Sequence, residues 1–379
     1  MICAARADVA RATGWGLVSA ALVLTGIYFG SRRLRDFDAA LVPYAGASVL
    51  SAFGLGYRYS MWLTKPPTRL FWRRSWRLFF APSRVMRNIA RLVGLCAVNV
   101  VAQRFIGKRS PLRWAAHACI SWGCILAAAV TFPLSFGWIH FETAGTALER
   151  YQAFVFGVHV FTFSLASPMA PLVFNVLDIS AVLVIIGVSL AMWRRGRDRG
   201  ALAVQQFGAD LLPLVMLFAV SITGIFLTVS THLMLGLHFV FLSQLHAVTV
   251  IFTLLYLPFG KFFHIFQRPA QLGVAFYREV GARSAPARSA RCDEPFASRM
   301  HIEDLKQVER ELGIQYETVR LPPPRFALGR TSPKSVHPDT TVAAAAPDSS
   351  AFEHYQDVCP VCRRKNLALT QDALWRRGA

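Results

Sequence analysis

Residues 209–229 read ADLLPLVMLFAVSITGIFLTV, an apolar run whose one charged side chain, Asp210, lies next to its start. An α-helix rises about 1.5 Å per residue, and the hydrocarbon layer of a bilayer is about 30 Å thick. A span therefore needs about 20 consecutive apolar residues, which this run supplies. The run predicts a membrane-spanning helix.

Other parts of the chain meet the same requirement. The six predicted spans are about 14–30, 40–57, 114–134, 175–193, 209–229 and 241–263. Residues 151–172 form a seventh, weaker candidate, because Pro168 and Pro171 interrupt it. The predicted fold class is an all-α, polytopic transmembrane helix bundle with a small cytoplasmic C-terminal tail.

The composition agrees with a membrane protein. Hydrophobic residues make up 54% of the 379 residues and charged residues 16%, whereas about a quarter of a typical soluble domain is charged. The formal net charge is +20, and a chain both apolar and basic is typical of a membrane protein with positive cytoplasmic loops. This composition argues against a nucleic-acid partner and against overall disorder. Seven cysteines are few for a disulfide scaffold of this length.

The positions of Lys and Arg predict the topology, because positive loops stay in the cytoplasm. Positive side chains are dense in 58–113 and 194–199 and recur after residue 263, whereas 135–150 and 230–240 carry few. We therefore expect the first three regions inside and the last two outside.

These assignments agree if residues 151–172 do not cross, so we expect a re-entrant or interfacial helical piece there. The sequence then predicts six spans in the cell's inner (plasma) membrane, with membrane lipid around them and both termini in the cytoplasm. One conflict is that Arg32, Arg33 and Arg35 would lie outside.

The composition changes near residue 270 and divides the chain into two predicted parts. Residues 1–269 form a transmembrane helical domain, and 270–379 form a cytoplasmic tail rich in Pro, Ala, Ser and charge. Within the tail, 301–312 predict an amphipathic helix and 320–350 a flexible linker.

Two histidines bracket the last predicted span. His246 and His264 are 18 residues apart, which is five full turns of a continuous helix, so both would project from one side. Their separation along the axis would be about 27 Å, close to the hydrocarbon thickness. Ionisable groups at membrane depth are usually functional, and imidazoles at both faces suit the ligation of two stacked b haems. His117 matches the depth of His264.

The same residues carry a family resemblance. Residues 245–269, LHAVTVIFTLLYLPFGKFFHIFQRP, resemble the last helix of the respiratory nitrate reductase gamma subunit, which shows two histidines at this spacing, Pro-Phe before the second and Pro after it. Residues 210–225 resemble the preceding helix. Residues 113–123, RWAAHACISWG, are similar to membrane cytochromes of heterodisulfide-reductase-like and sulfite-reduction-linked complexes. The resemblance covers about 40–272.

The resemblance implies a membrane cytochrome b subunit, which exchanges electrons between quinol and a cytoplasmic redox partner. It implies His246 and His264 as axial ligands of an outer and an inner haem b, with His117 paired to His264. The family's early helix has a second histidine ten residues after the first, where this chain has Ala127. The outer partner of His246 would then be His140, which we slightly favour, or His159, or the outer haem is absent.

The implied partners are the quinone pool and a cytoplasmic iron–sulfur or molybdenum oxidoreductase subunit. The chain would be an electron-transfer subunit that makes no chemical product alone, since the cofactor carries the chemistry. Two other functions stay open. A secondary transporter is disfavoured because the chain shows no internal repeat, and a membrane anchor that has lost haem is compatible with Ala127.

Cysteines in the tail form half of a zinc-ribbon pattern. Cys359-Pro360-Val361-Cys362 is a CxxC motif, and Ser289-Ala290-Arg291-Cys292 reads SxxC where a second CxxC would be expected. The three cysteines and His301 predict a closed tetrahedral zinc site, a metal knuckle with three thiolate ligands and one imidazole. A metal-free CxxC that is free or bound to a partner is the alternative.

Overall fold

The computed structural model describes residues 5–144, 149–198, 200, 205–314, 317–319 and 352–378. The chain forms two compact units. The first contains residues 1–64 and 82–272, and the second contains 65–81 and 273–379. The second unit thus includes a segment between the second and third predicted spans, in addition to the predicted tail.

The first unit contains six helices long and apolar enough to cross a membrane, which confirms the all-α polytopic fold class. Two of them continue preceding turns, a 3₁₀ turn at Ala39–Leu41 and a π-helical turn at Phe207–Leu211. The six are α1 (Arg6–Gly30), α2 (Val42–Leu63), α6 (Pro111–Ser135), α8 (Val176–Arg197), α9 (Leu212–Leu233) and α10 (Phe239–Tyr256).

Other helical elements lie between the six spanning helices in the sequence or follow them. A π-helical turn, Ala97–Val101, extends one of the short helices. The other helices up to residue 283 are α3 (Pro66–Phe79, which belongs to the second unit), α4 (Val85–Cys96), α5 (Arg104–Gly107), α7 (Met169–Phe174) and α11 (His264–Arg283, which continues into the second unit).

The spanning helices expose large apolar side chains. None of the residues of α10 is buried, and Phe241, Val248 and Phe252 each expose more than half of their surface. Contiguous apolar surface on this scale is unusual in water and is what contact with lipid requires. Since such helices satisfy their own backbone hydrogen bonds, they are compatible with a lipid environment.

Small residues bring α6 and α8 into close contact. A Cβ at Gly123 of α6 would lie 2.7 Å from the carbonyl oxygen of Ser180, and one at Gly187 of α8 would lie 2.7 Å from that of Ala116. Glycine at both positions lets the two backbones approach. This packing of small residues is the usual way in which helices associate in membranes.

Residues 151–172 are not the helical piece that the sequence predicts. They contribute to a three-stranded antiparallel sheet, β1 (Ile139–Ala144), β2 (Arg150–Val155) and β3 (Val158–Ser164), followed by α7. Phe156 and Gly157 have φ of 51° and 76° and connect β2 to β3 as a tight hairpin turn. The alternating Val, Phe and Thr of β3 favour a strand, and the apolar content concealed this period of two.

The last predicted span is also shorter than expected. The helix α10 ends at Tyr256, a 3₁₀ turn covers Lys261–Phe263, and α11 begins at His264. Pro258 has no backbone N–H with which to continue the helix, and Gly260 has a φ of 61°. The prediction that His246 and His264 project from one side of one continuous helix is therefore wrong.

A side chain from α2 stabilises this break. Arg58 donates a hydrogen bond to the carbonyl oxygen of Pro258, lies 3.5 Å from that of Gly260, and covers the Phe263 ring at 4.4 Å. These carbonyls lose their helical partners where α10 ends, so a cation satisfies them.

The loop after α1 contains three arginines, and one of them forms an ion pair within the loop. Arg32, Arg33 and Leu34 have positive φ values, and Arg32 donates two hydrogen bonds of 2.6 Å to the Asp36 carboxylate. The local ion pair offsets part of the positive charge that the sequence places in this loop.

The second unit is small and mixed in structure. The helix α12 (Arg299–Leu312) confirms the predicted amphipathic helix, with Ser298 as its N-cap and Gly313 at its C-terminus. The predicted linker 320–350 lies outside the described residues. The remaining elements are strands β4 (Pro286–Arg288), β5 (Pro295–Ser298), β6 (Glu317–Val319) and β7 (Phe352–His354), and helix α13 (Pro360–Gly378).

A buried carboxylate joins three elements of this unit. Asp304 of α12 is almost fully buried, pairs with Arg74 of α3 at 2.8 Å, and accepts a hydrogen bond of 2.8 Å from the Tyr277 hydroxyl. Burial, together with this hydrogen bond, raises the pKa of Tyr277, so the hydroxyl stays a donor. The paired Asp304 fixes α12 against α3.

The break between α10 and α11 gives a direct test. A Cβ at position 260 would overlap the Tyr256 ring, and the backbone there has a positive φ. We expect Gly260→Ala to destabilise the protein by about 1–3 kcal/mol and to lower its thermal unfolding midpoint in detergent.

The matched control is Gly94→Ala in α4, where a Cβ meets nothing within 4 Å and alanine favours helix. Equal stability of the Gly260→Ala and Gly94→Ala proteins would contradict the assigned break.

Candidate functional site

His117 lies near the start of α6, where a short segment folds back on the helix. Its Nδ1 lies 2.8 Å from Oε1 of Gln103, a buried residue with a φ of 48°. Trp114 donates a hydrogen bond of 2.9 Å to the Ala102 carbonyl, which fixes the same segment. The imidazole of His117 is thus held in one orientation by a buried amide oxygen.

His264, the second histidine of the 245–269 motif, is also held by a hydrogen bond. Its Nδ1 hydrogen-bonds to the carbonyl oxygen of Lys261, the first residue of the 3₁₀ turn before α11. Lys261 in turn pairs with Asp210. The 3₁₀ turn that follows the end of α10 therefore positions the carbonyl group that holds this imidazole.

The structure brings His117 and His264 into one region. Electrostatic interactions with His264 and Arg268 act on the His117 imidazole, which places the three side chains in the same part of the first unit. Arg268 also covers the ring of Phe105 at 5.3 Å.

His246 lies in α10 and faces α9. Its Nδ1 is 3.0 Å from the Thr223 hydroxyl, which is 3.2 Å from that of Thr249, and the Val220 carbonyl also interacts with this imidazole. Gly224 lets the ring pack closely, since a Cβ there would touch Cε1 at 3.4 Å.

These three histidines share one chemical arrangement. In each, Nδ1 meets an oxygen atom, from Gln103, Lys261 or Thr223. A histidine that binds a metal commonly donates its other ring N–H to such an acceptor, which fixes the ring and makes it a stronger ligand. The arrangement leaves Nε2 as the nitrogen for an axial ligand, so the donor chemistry fits haem iron.

The two predicted outer partners lie on the sheet and have other neighbours. His140 of β1 stacks on Phe154 at 5.0 Å and lies 3.9 Å from Asp36 and 3.5 Å from Glu142. His159 of β3 has its Nε2 2.9 Å from the Thr162 hydroxyl.

None of the described contacts of His140 or His159 involves His246. The sequence predicted neither the sheet nor these contacts, because residues 135–150 were expected to form an outer loop and 151–172 a helical piece. The contacts described for His246 are with the Thr223 hydroxyl and the Val220 carbonyl, and neither is an imidazole.

The three tail cysteines do come together, within the second unit. The sulfur atoms of Cys292, Cys359 and Cys362 all lie within 4.8 Å of one another, and those of Cys292 and Cys359 are 3.6 Å apart. His301, predicted as the fourth ligand, is not brought to them. Its Nδ1 lies 3.4 Å from the Tyr277 hydroxyl.

Electrostatics separate the two cysteines of the CxxC motif. Burial raises the pKa of the Cys359 thiol, but hydrogen bonds from the Cys362 N–H, Ser289 and the neighbouring thiols outweigh it and lower the pKa to about 7. Burial and the neighbouring Cys359 raise the pKa of Cys362 to about 11. The pair favours one thiolate at neutral pH, which is the reactive and metal-binding form.

Sequence reasoning missed the residues that orient the histidines. Gln103 and Thr223 lie 14 and 23 residues from His117 and His246, and this distance in sequence gives no pairing signal. Lys261 acts through its backbone carbonyl, which no side-chain pattern reveals.

Comparisons of the chain with protein-family models, with curated proteins and with solved structures found no match. The resemblance to the nitrate reductase gamma subunit therefore stays a prediction.

The contact of Asp36 with His140 and Arg32 predicts acid sensitivity of the sheet region. The Arg32 hydrogen bond, with smaller help from His140 and Arg35 and against burial, lowers the pKa of Asp36. Because the pKa of Asp36 is lower in the folded protein than in the unfolded chain, the ionised carboxylate stabilises the folded protein at pH values above about 3.9, the pKa of Asp in the unfolded chain. This stabilisation is lost as the pH falls through the pKa of Asp36 in the folded protein.

We expect Asp36→Asn to remove this part of the acid-induced fall in unfolding midpoint between about pH 4 and pH 2. The control is Asp8→Asn, which removes only an exposed pair with Arg11. An unchanged acid limb in the Asp36→Asn protein would contradict the assignment.

Proposed function

We propose that the chain is a membrane cytochrome b subunit that passes electrons between quinol and a soluble oxidoreductase partner. The observation that carries the proposal is that Nδ1 of both His117 and His264 is fixed by a carbonyl-type oxygen, and an electrostatic interaction between the two imidazoles supports their pairing. Bound b haem would supply reversible one-electron chemistry at its iron. The protein would hold the ligands, exclude water and bind the partners.

One haem per chain agrees best with the described residues. His117 and His264 lie on different helices, α6 and α11, as ligands of opposite faces must. Gln103 and Lys261 would set the orientation of the two rings and raise their basicity. Arg268 beside them would favour the reduced state, because a cation stabilises an added electron, and would pair with an acidic group of the cofactor.

His246 has a weaker case as a ligand. It shows the same Nδ1 anchoring, but His140 and His159 contact Asp36 and Thr162 instead. We therefore assign His246 no second haem, and attribute its position to the hydrogen-bonded threonines of α9 and α10, Thr223 and Thr249.

The basic segments at the His117 end suit docking of an acidic partner surface. Arg194, Arg195 and Arg197 cluster in the last turn of α8, and Arg195 donates to the Asp210 carbonyl at 2.9 Å. Positive segments of this kind lie in the cytoplasm, so the proposed partner is a cytoplasmic iron–sulfur or molybdenum subunit.

The proposal is tested by reduced-minus-oxidised absorption spectra of the purified full-length protein, with haem quantified per chain. We expect about one b haem in the wild type, near-complete loss in His117→Ala and His264→Ala, and reduction of the wild-type haem by added quinol.

Matched controls separate ligands from other histidines. The haem content of His159→Ala and of His232→Ala should equal that of the wild type, since neither is a proposed ligand: His159 lies in β3 beside Thr162, and His232 lies in the last turn of α9. Loss of half the haem in His246→Ala would establish a second haem. A colourless wild-type protein would overturn the proposal and favour a haem-less anchor or a transporter.

A further inference from the structure

The cysteine cluster of the second unit has the dimensions of a site for one metal ion. Four ligands arranged tetrahedrally around zinc, with zinc–sulfur bonds of about 2.3 Å, place their sulfur atoms about 3.8 Å apart. The observed separation of 3.6 Å between the sulfurs of Cys292 and Cys359 agrees with this value. It is far longer than the disulfide bond of about 2.05 Å.

A single ion also fits better than an iron–sulfur cluster. The cysteines of a cluster bind different iron atoms and are spread around it. Here the sulfurs of Cys292, Cys359 and Cys362 all lie within 4.8 Å of one another, which leaves room for one ion.

The backbone around Cys359 is shaped for a thiolate. Cys359 immediately precedes α13, and its sulfur accepts a hydrogen bond from the backbone N–H of Cys362 at 3.4 Å. Free N–H groups and the dipole at a helix N-terminus stabilise negative charge. The CxxC turn therefore presents two sulfurs on one side.

The facing turn supplies the third sulfur and an oxygen. Ser289 accepts the backbone N–H of Cys359 on its hydroxyl at 3.2 Å and is almost fully buried, and Asp293 closes the turn through a 2.9 Å bond to the Ser289 carbonyl. Ser289 stands three residues before Cys292, where a complete ribbon has its fourth cysteine. Position 289 therefore carries a hydroxyl group where the ribbon has a thiol.

We propose that Cys292, Cys359 and Cys362 bind one zinc ion as thiolates, with an oxygen donor at the Ser289 corner completing a tetrahedron. This site is independent of the proposed haem function. It replaces the predicted set of three cysteines and one histidine, because His301 contacts Tyr277 instead.

The bound ion would hold the second unit together. It would link residues 67 positions apart in sequence, which removes chain entropy from the unfolded state. Polar contacts already connect the same segments: Ala290 donates to the Asp357 carbonyl at 2.9 Å, and Arg291 pairs with Glu353 at 2.5 Å.

The test uses the purified full-length protein in detergent. Zinc per chain is measured after purification, and Co²⁺ is titrated into chelator-treated protein while the thiolate-to-cobalt charge-transfer band is followed. We expect one zinc per wild-type chain, and on the order of 100-fold or greater loss of Co²⁺ affinity in Cys292→Ser and Cys362→Ser.

Two further variants keep the test decisive if those proteins fold poorly. Ser289→Cys completes a set of four thiolates, so its charge-transfer intensity should rise by about one third while one ion remains bound per chain. Cys119→Ser removes a thiol from α6 and should match the wild type.

Three results would overturn the proposal. They are a wild-type protein that takes up neither zinc nor Co²⁺, full metal retention in Cys292→Ser and Cys362→Ser, and a Cys292–Cys359 disulfide as the form of the freshly purified protein. An unchanged Co²⁺ spectrum in Ser289→Cys would also contradict the assignment of the fourth corner.

Discussion

The contact between Arg58 and the carbonyl oxygens of Pro258 and Gly260 fixes where the last spanning helix ends. A helix terminus leaves carbonyl groups without partners, and at membrane depth such groups are costly unless another group satisfies them. The guanidinium supplies that partner from α2. The polypeptide can then turn, and the Lys261 carbonyl is free to orient His264 at the start of α11.

The proposed haem site depends on the position of His264. Because α11 begins a new helix, His264 does not share a helix face with His246. It interacts electrostatically with His117, as Arg268 does. The two helices that carry these imidazoles belong to different parts of the sequence, as two ligands of one haem require. We thus assign a site between helices, whereas the repeated histidines of the sequence motif point to a site along one helix.

The sequence predicts the spans well because burial in lipid requires a long apolar run, which is visible without knowing any contact. The sequence-based prediction is wrong where an apolar segment can form either a helix or a strand. Residues 151–172 are apolar and aromatic in both a helix and a sheet, and the decisive features are the short Phe156–Gly157 turn and the alternation in β3. The end of α10 depends on Pro258 and Gly260, which spanning helices also tolerate.

The candidate sites show the same division. The types of the candidate ligands, His and Cys, follow from chemistry, so the sequence alone predicts His117, His264 and the three tail cysteines as candidates. Their partners follow from contacts across long sequence separations, such as Gln103 with His117 and Ser289 with Cys359. His301 failed as a predicted ligand for this reason, since packing against Tyr277 decides where its ring points.

The central claim is that His117 and His264 bind one haem from opposite faces, and electron paramagnetic resonance of the oxidised full-length protein tests it most directly. Two imidazole ligands make ferric haem low-spin. We predict a low-spin signal with two nitrogen axial ligands, at about one spin per chain. A high-spin signal, or a protein with no ferric haem signal, would contradict it.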